Sequence, residues 1–321
     1  MATNVRIHTT GGPEVLSVDE VPQPHPAPGQ VVVETAAVGV NFIDTYHRTG
    51  AYPLALPATL GVEAAGTVAA VAADVTALAV GDLVAWPWQF GSYTTHAAVD
   101  ADKVVVVPDG VDLRVAAAAS VQGITAHFLA RSIVPLGAGD TALVHAGAGG
   151  VGLLLTQMLA TQGVRVFTTV GSPDKVALSR AAGASDVFDY ADFVDGARAA
   201  TDGLGVRAVF DGVGAATFER GLDALGVRGT MVLFGAASGK VDPLDPQVLN
   251  TKGSLTLTRP SLAHFATDPS ELRWRASEVF AAIADGTLDV RIGAEFTLSD
   301  AASAHRALEG RSTTGKVLLI P

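Results

Sequence analysis

The chain has 321 residues, a formal net charge of −11 and no cysteine; 49% of its residues are hydrophobic and 17% are charged. At roughly 150 residues per domain this is enough for about two domains. The apolar fraction excludes a disordered chain, the acidic balance disfavours nucleic acid and anionic membranes as partners, and the missing thiols exclude disulfides, thiolate metal sites and cysteine nucleophiles.

The N-terminus MATNVRIHTT has no basic segment leading into an apolar run, so no signal peptide is expected and a cytoplasmic location is. The longest uncharged stretch, 141–164, carries His145, Gln157 and five glycines. It reads as strand, turn and helix, not as a membrane span. The first third is β-rich. Segments 31–40, 66–71, 82–85, 92–98 and 103–107 are short apolar runs bounded by Gly, Pro or Asp. Pro22, Pro24, Pro26 and Pro28 make 21–29 an extended connector.

From residue 141 the period changes. Strands are predicted at 141–146, 165–170, 186–189, 206–211, 230–234 and 254–258, with helices at 151–161, 173–182, 192–201 and 217–225. This alternation predicts parallel βαβ units in a doubly wound sheet. Helical stretches at 272–284 and 299–308 and a strand at 316–320 complete the chain.

The sharpest motif is Gly147-Ala148-Gly149-Gly150-Val151-Gly152. Gly147, Gly149 and Gly152 satisfy G-x-G-x-x-G between an apolar strand and a helix. Small residues there let the backbone approach a pyrophosphate, and a helix N-terminus favours its charge. The bland reading is a tight turn without a ligand. NAD enzymes commonly carry Asp or Glu at the tip of the second strand. Here that tip reads Val170-Gly171-Ser172, and Lys175 follows. A hydroxyl and a cation suit a 2′-phosphate, so NADPH is expected over NADH. Tyr190 and Arg311 are further candidates for that pocket. Asp174 argues the other way, since it repels a phosphate if it faces inward.

Four segments carry a resemblance: Asn41-Phe42-Ile43-Asp44-Thr45-Tyr46, Leu60 to Gly66, Gly147 to Gly152, and Thr258-Arg259-Pro260-Ser261-Leu262. Together the chain resembles the NADPH:quinone oxidoreductases, zinc-free members of the medium-chain dehydrogenase/reductase superfamily related to zeta-crystallin. The resemblance runs from Gly11 to the last strand. It implies an α/β fold with a GroES-like β-rich catalytic domain, 1–121 and 261–321, and a Rossmann domain with a doubly wound parallel sheet, 122–260. It implies a cleft between the two and a homodimer joined through the strand at 254–258. Zinc alcohol dehydrogenases of the superfamily carry G-H-E-x-x-G where this chain has Gly61 to Gly66. Val62 replaces the histidine, so no metal site is expected, and Glu63 reads as structural, paired with a nearby cation.

By the same resemblance Asn41, Phe42, Ile43, Asp44 and Tyr46 lie near the nicotinamide. Thr125, Gly150 and Val151 lie along the pyrophosphate. Gly171, Ser172, Lys175, Tyr190 and Arg311 surround the adenosine phosphate, and Phe234, Gly235, Ser238 and Arg259 complete the cleft. Tyr46 and Asn41 are the expected catalytic donors, because hydride transfer to a quinone leaves charge on an oxygen. The alternative for both is a turn that only touches cofactor. His145 reads as packed or cofactor-adjacent, and the Trp86-Pro87-Trp88 run as local packing or a stacking surface. The implied activity is NADPH-dependent quinone reduction without metal. The rivals are an NADPH-dependent reductase of activated C=C bonds (enals, enones or enoyl thioesters) and a non-catalytic NADPH-binding protein.

Overall fold

Strands are the main regular element of the first hundred residues, because Val-rich alternating runs pack one face and solvate the other. The computed structural model describes all 321 residues and divides into two compact units, Met1–Ile124 with Phe265–Pro321, and Thr125–His264.

The first unit is built on a seven-stranded sheet. Its path runs Ile292–Thr297, Lys316–Ile320, Gln30–Val40, Ala64–Val71, Leu83–Trp86, Val105–Val106, and His96–Asp100 also pairs with Gln30–Val40. The C-terminal strand is therefore inserted beside the longest N-terminal one, with Val317 opposite Val40 and Leu319 opposite Val38. A second sheet has three strands, Leu16–Val21, Ala2–Ile7 and Ala58–Thr59. Val5, Ile7, Val33, Val38, Val84, Trp86, Tyr93 and Leu319 form the buried core. The expected strand at 92–98 is His96–Asp100, since Ser92 and Thr94 turn their hydroxyls to local hydrogen bonds.

Four α-helices lie where the sequence reading placed none, the short Gln247–Thr251 and Leu262–Phe265 and two longer ones. Asn41 starts Phe42–Thr49, here α1, in a segment to which the sequence reading assigns no element. Leu113–Phe128 buries Ala116, Ala117, Ala118 and Ala119 completely, so it shows no polar stripe to read as helical period.

The second unit carries a six-stranded parallel sheet in the order Asp186–Phe188, Arg165–Thr169, Thr141–Val144, Val206–Asp211, Leu225–Leu233, Thr256–Thr258. Numbered along this unit the order is 3-2-1-4-5-6, the doubly wound dinucleotide-binding arrangement. Leu143, Phe167, Phe193, Val209, Leu222 and Met231 form its core. The helix expected at 173–182 begins as a 3-10 turn, Pro173–Lys175, and continues as Val176–Ala181. The strand expected at 230–234 starts earlier, at Leu225.

Candidate active site

In the second unit the first strand ends at Val144, and the chain turns through Ala146, whose φ is 56°. That left-handed residue carries the chain into Gly147, whose N–H donates to the Thr169 carbonyl at 2.8 Å. The helix Gly150–Thr161 follows. A Cβ on Gly152 would stand 2.2 Å from the Ala146 carbonyl oxygen, and one on Gly147 2.5 Å from Thr168 Cβ. Only glycine permits this close strand-to-helix crossing, which leaves the first N–H groups of a helix at an open loop. That is the cradle a pyrophosphate requires, so the residues fit a dinucleotide.

Around the cradle, His145 is buried and its Nδ1 lies 2.9 Å from Thr169 Oγ1. Burial pushes its pKa down to about 4, so the ring is neutral. It stacks on Tyr190 with centroids 6.1 Å apart, and the Tyr190 hydroxyl accepts the Ala146 N–H at 3.2 Å. Tyr190 thus supports the loop as well as bordering it. Gly171 is exposed beyond the second strand, and Ser172 leads into the turn that carries half-buried Lys175. Asp174 accepts the Ser172 hydroxyl, and this bond holds its carboxyl below the usual range. The Ser172 hydroxyl is therefore already engaged by Asp174. Phe234 and Gly235 both donate backbone N–H to Asp211. The Ser238 hydroxyl donates to the Val213 carbonyl and accepts the Ala216 N–H. Thr125 is buried, Gly149, Gly150 and Val151 are half-buried, and Arg259 is exposed with its guanidinium on the Pro260 carbonyl.

In the first unit α1 carries the other expected residues. Phe42, Ile43 and Tyr46 are half-buried, and Tyr46 meets Tyr52 edge-on at 5.3 Å. His47 bridges Tyr52 and Phe90, and Phe90 approaches Trp88, whose φ is 60°. The loop bearing them is fastened: Gln89 N–H donates to the Val62 carbonyl and Gly91 N–H to the Gly61 carbonyl, each at 3.0 Å. Trp86 is buried, its indole N–H on Ser92, so it packs; Trp88 lies in the aromatic row. Arg311 follows the helix Ala301–Glu309, exposed, with φ 55°.

Two expectations need correction. The Asn41 amide is committed: its Nδ2 donates to Glu63 Oε1 at 2.6 Å and its Oδ1 accepts from Lys316 Nζ at 2.9 Å. Asn41 is therefore a support and not a donor held open for a substrate oxygen. Asp44 has no exposed surface, and its Oδ2 accepts the Asn41 N–H at 2.8 Å and the Tyr93 hydroxyl at 3.0 Å. It caps α1 from inside and has no exposed surface to offer a ligand. Glu63 is paired with a cation as expected, and that cation is Lys316; the Val121 N–H also donates to it. Lys316, Tyr93, Arg48 and His305 were not legible as site residues. The one available signal was a lone lysine inside the apolar strand 316–320.

No group of three or more His, Asp or Glu side chains stands close enough to hold a metal ion. With Val62 in the histidine position and no thiols, the donor set of a zinc dehydrogenase does not exist in this chain. The fold and these residues define a medium-chain dehydrogenase/reductase of the zinc-free kind. Residues 27–109 match the alcohol dehydrogenase GroES-like domain, and residues 150–276 match the zinc-binding dehydrogenase family. The chain is 41% identical to the quinone oxidoreductase of Pseudomonas aeruginosa over the full length of both. It is 36% identical to a Burkholderia 2-haloacrylate reductase, covering 98% of each. The crystal structure of Escherichia coli quinone oxidoreductase complexed with NADPH superposes with a TM-score of 0.97 at 40% identity, covering 99% of this chain and 100% of that one. The chain belongs to the quinone oxidoreductase family of zinc-free medium-chain dehydrogenase/reductases.

Proposed function

We propose that the protein is an NADPH-dependent quinone reductase. The observation that carries this reading is the glycine cradle at 147–152 followed by a second strand with no acid at its tip, in a chain that aligns end to end with quinone oxidoreductases. Gly147, Gly149, Gly150, Val151 and Gly152 would hold the pyrophosphate; Ser172, Lys175 and Tyr190 would hold the 2′-phosphate, with Arg311 a further candidate. Phe42, Ile43, Thr125, Phe234, Gly235, Ser238 and Arg259 are assigned to the remaining cofactor surface. When bound, the reduced nicotinamide supplies a hydride.

The protein's own task is position and one donor. Tyr46 offers a hydroxyl from a rigid helix to the oxygen on which charge develops. Tyr46, Tyr52, Phe90 and Trp88, packed around the buried His47 ring, offer flat faces and edges to a planar acceptor. Since the chain lacks the donor set of a Lewis-acid metal, an acceptor that takes hydride readily is favoured over a simple ketone. A second reading, reduction of an activated C=C bond, is supported by the full-length similarity to 2-haloacrylate reductase.

The test is NADPH oxidation by the purified protein with 1,4-naphthoquinone, with an enone, and with NADH in place of NADPH. Turnover on the quinone with NADPH is expected. Turnover on the enone alone moves the assignment to the alkene reductase, and NADPH binding without turnover on either acceptor supports a binding protein. Tyr46→Phe is expected to lower turnover with unchanged NADPH affinity. A homodimer belongs to the same proposal, since Thr256–Thr258 is paired on one side only and an edge strand favours a partner; light scattering reads it. So does a cytoplasmic location, read by cell fractionation.

A further inference from the structure

Asp44 and Arg48 are four residues apart on α1 and both are buried. Residues at this spacing share one helix face and commonly pair directly. Here they do not. Arg48 Nη1 is bonded to His305 Nδ1 at 3.0 Å, His305 Nε2 to the Tyr93 hydroxyl at 3.0 Å, and that hydroxyl to Asp44 Oδ2 at 3.0 Å. The chain of bonds leaves α1 at Arg48 and returns to it one turn earlier at Asp44.

Donor chemistry gives the chain one direction. A guanidinium only donates, so His305 Nδ1 must accept and its proton sits on Nε2. Nε2–H then donates to the Tyr93 oxygen, and the Tyr93 hydroxyl donates to the carboxylate. Burial and the adjacent guanidinium keep His305 neutral, as this order requires. Arg48 is anchored in turn. Its Nε donates to the Gly11 carbonyl at 3.1 Å and its other nitrogens reach the Glu309 carboxylate at 2.7 and 3.1 Å.

Tyr46 lies midway between Asp44 and Arg48. At about 100° per residue it stands some 200° from each, on the opposite side of the helix. Rotation of α1 about its axis therefore decides where the Tyr46 hydroxyl points, and the bonded face decides the rotation. We propose that Tyr93 and His305 are positioning residues: as a clip across Asp44 and Arg48 they fix the rotation of α1 and thereby aim Tyr46. The inference rests on the quinone reductase reading for its catalytic consequence, but the clip itself is independent of substrate.

The experiment compares wild type with Tyr93→Phe, His305→Leu and His305→Gln, counting turnover per NADPH-binding site so that misfolded protein does not enter. Glutamine offers one acceptor and one donor, as the neutral imidazole does. Tyr93→Phe and His305→Leu are expected to lower kcat on 1,4-naphthoquinone about tenfold, with KM for NADPH changed less than about twofold, and His305→Gln to stay within about threefold of wild type. The protein has four tyrosines, so ring signals in a tyrosine-labelled sample can be assigned by substitution. The Tyr46 signal is expected to move in His305→Leu and not in His305→Gln. The ¹⁵N pattern of His305 is expected to show a neutral ring protonated on Nε2. Wild-type turnover per site in both clip-breaking variants, His305→Gln no better than His305→Leu, or a proton on Nδ1 overturns the proposal. A wild type inactive on every quinone overturns the function reading instead, and the Tyr46 and His305 signals still decide the clip.

Discussion

The Lys316 ammonium is bonded to the Glu63 carboxylate with neither side chain exposed to solvent. The pair joins the C-terminal strand to the segment that holds a histidine ligand in zinc dehydrogenases, and Asn41 closes the group by bonding both partners. Removing one member of such a pair leaves a buried charge without compensation. Lys316→Met is expected to destabilise by about 3–5 kcal/mol. The double variant Glu63→Gln, Lys316→Met should recover much of this, because both charges go together. Urea unfolding of the single and double variants measures it; a double variant as unstable as the single one would show that packing, not charge, dominates.

The glycine cradle sorts its members. Gly152→Ala puts a methyl 2.2 Å from the Ala146 carbonyl oxygen, so the strand and helix must separate. We expect loss of NADPH binding and a fall in stability of a few kcal/mol, on the scale of core overpacking at about 1–3 kcal/mol. Gly171→Ala meets nothing nearer than Tyr190 at 4.0 Å and has no left-handed φ to protect. Its melting temperature should match wild type. NADPH titration and thermal unfolding on the two variants separate the close crossing from the open tip.

In the proposed cofactor site, discrimination falls to one cation, Lys175, and one hydroxyl, Ser172, that Asp174 also engages. Lys175→Ala is expected to raise KM for NADPH about tenfold, since a charge-assisted contact is worth about 1.5–3 kcal/mol, and to leave KM for NADH unchanged. Asp174→Asn should act in the opposite direction. It removes a negative charge and weakens the hold on the Ser172 hydroxyl, so KM for NADPH falls. Steady-state kinetics with both nucleotides check the pair of signs. Equal effects on NADPH and NADH would place Lys175 away from the 2′-phosphate.

The legible parts of this molecule are those written in short-range patterns. Strand–glycine–helix at 141–161 and the alternation after it announce the parallel sheet because each element is read from a dozen neighbouring residues. Asn41 and Asp44 show the opposite case. Both are polar residues in a segment shared with quinone oxidoreductases, and both were read as facing ligand. What turns them inward is Lys316 and Tyr93, which lie 275 and 49 residues away in the chain. A buried network satisfies each polar group with a distant partner, and no local period records that pairing. The helix Leu113–Phe128 was missed for a related reason, since burial on all sides removes the stripe that marks a surface helix.

Buried titratable groups set the response to acid. Burial pushes His145 down to about 4 and His305 down to about 3, while an unfolded imidazole titrates near 6.5. Between those values the unfolded chain takes up protons that the native state refuses. Stability from both histidines is therefore present above pH 6.5 and lost as pH falls through it, by about 2 kcal/mol each near pH 5. Asp44 works against them. Burial raises its pKa to about 7, against the Asn41 N–H, the Tyr93 hydroxyl and Lys316, which lower it. Its native carboxyl holds a proton that the unfolded chain has released, so this contribution grows as pH falls from about 7 toward 4, and reaches about 3 kcal/mol near pH 5. In wild type the two effects oppose each other between pH 8 and pH 5. His305→Gln removes one acid-labile group, and it should lose less stability than wild type over the same interval. Asp44→Asn removes the opposing group, and its loss should be steeper than that of wild type. Urea unfolding at the two pH values reads the slopes whatever each substitution does to absolute stability. Parallel slopes in all three proteins would mean that neither side chain keeps its native protonation state through this range.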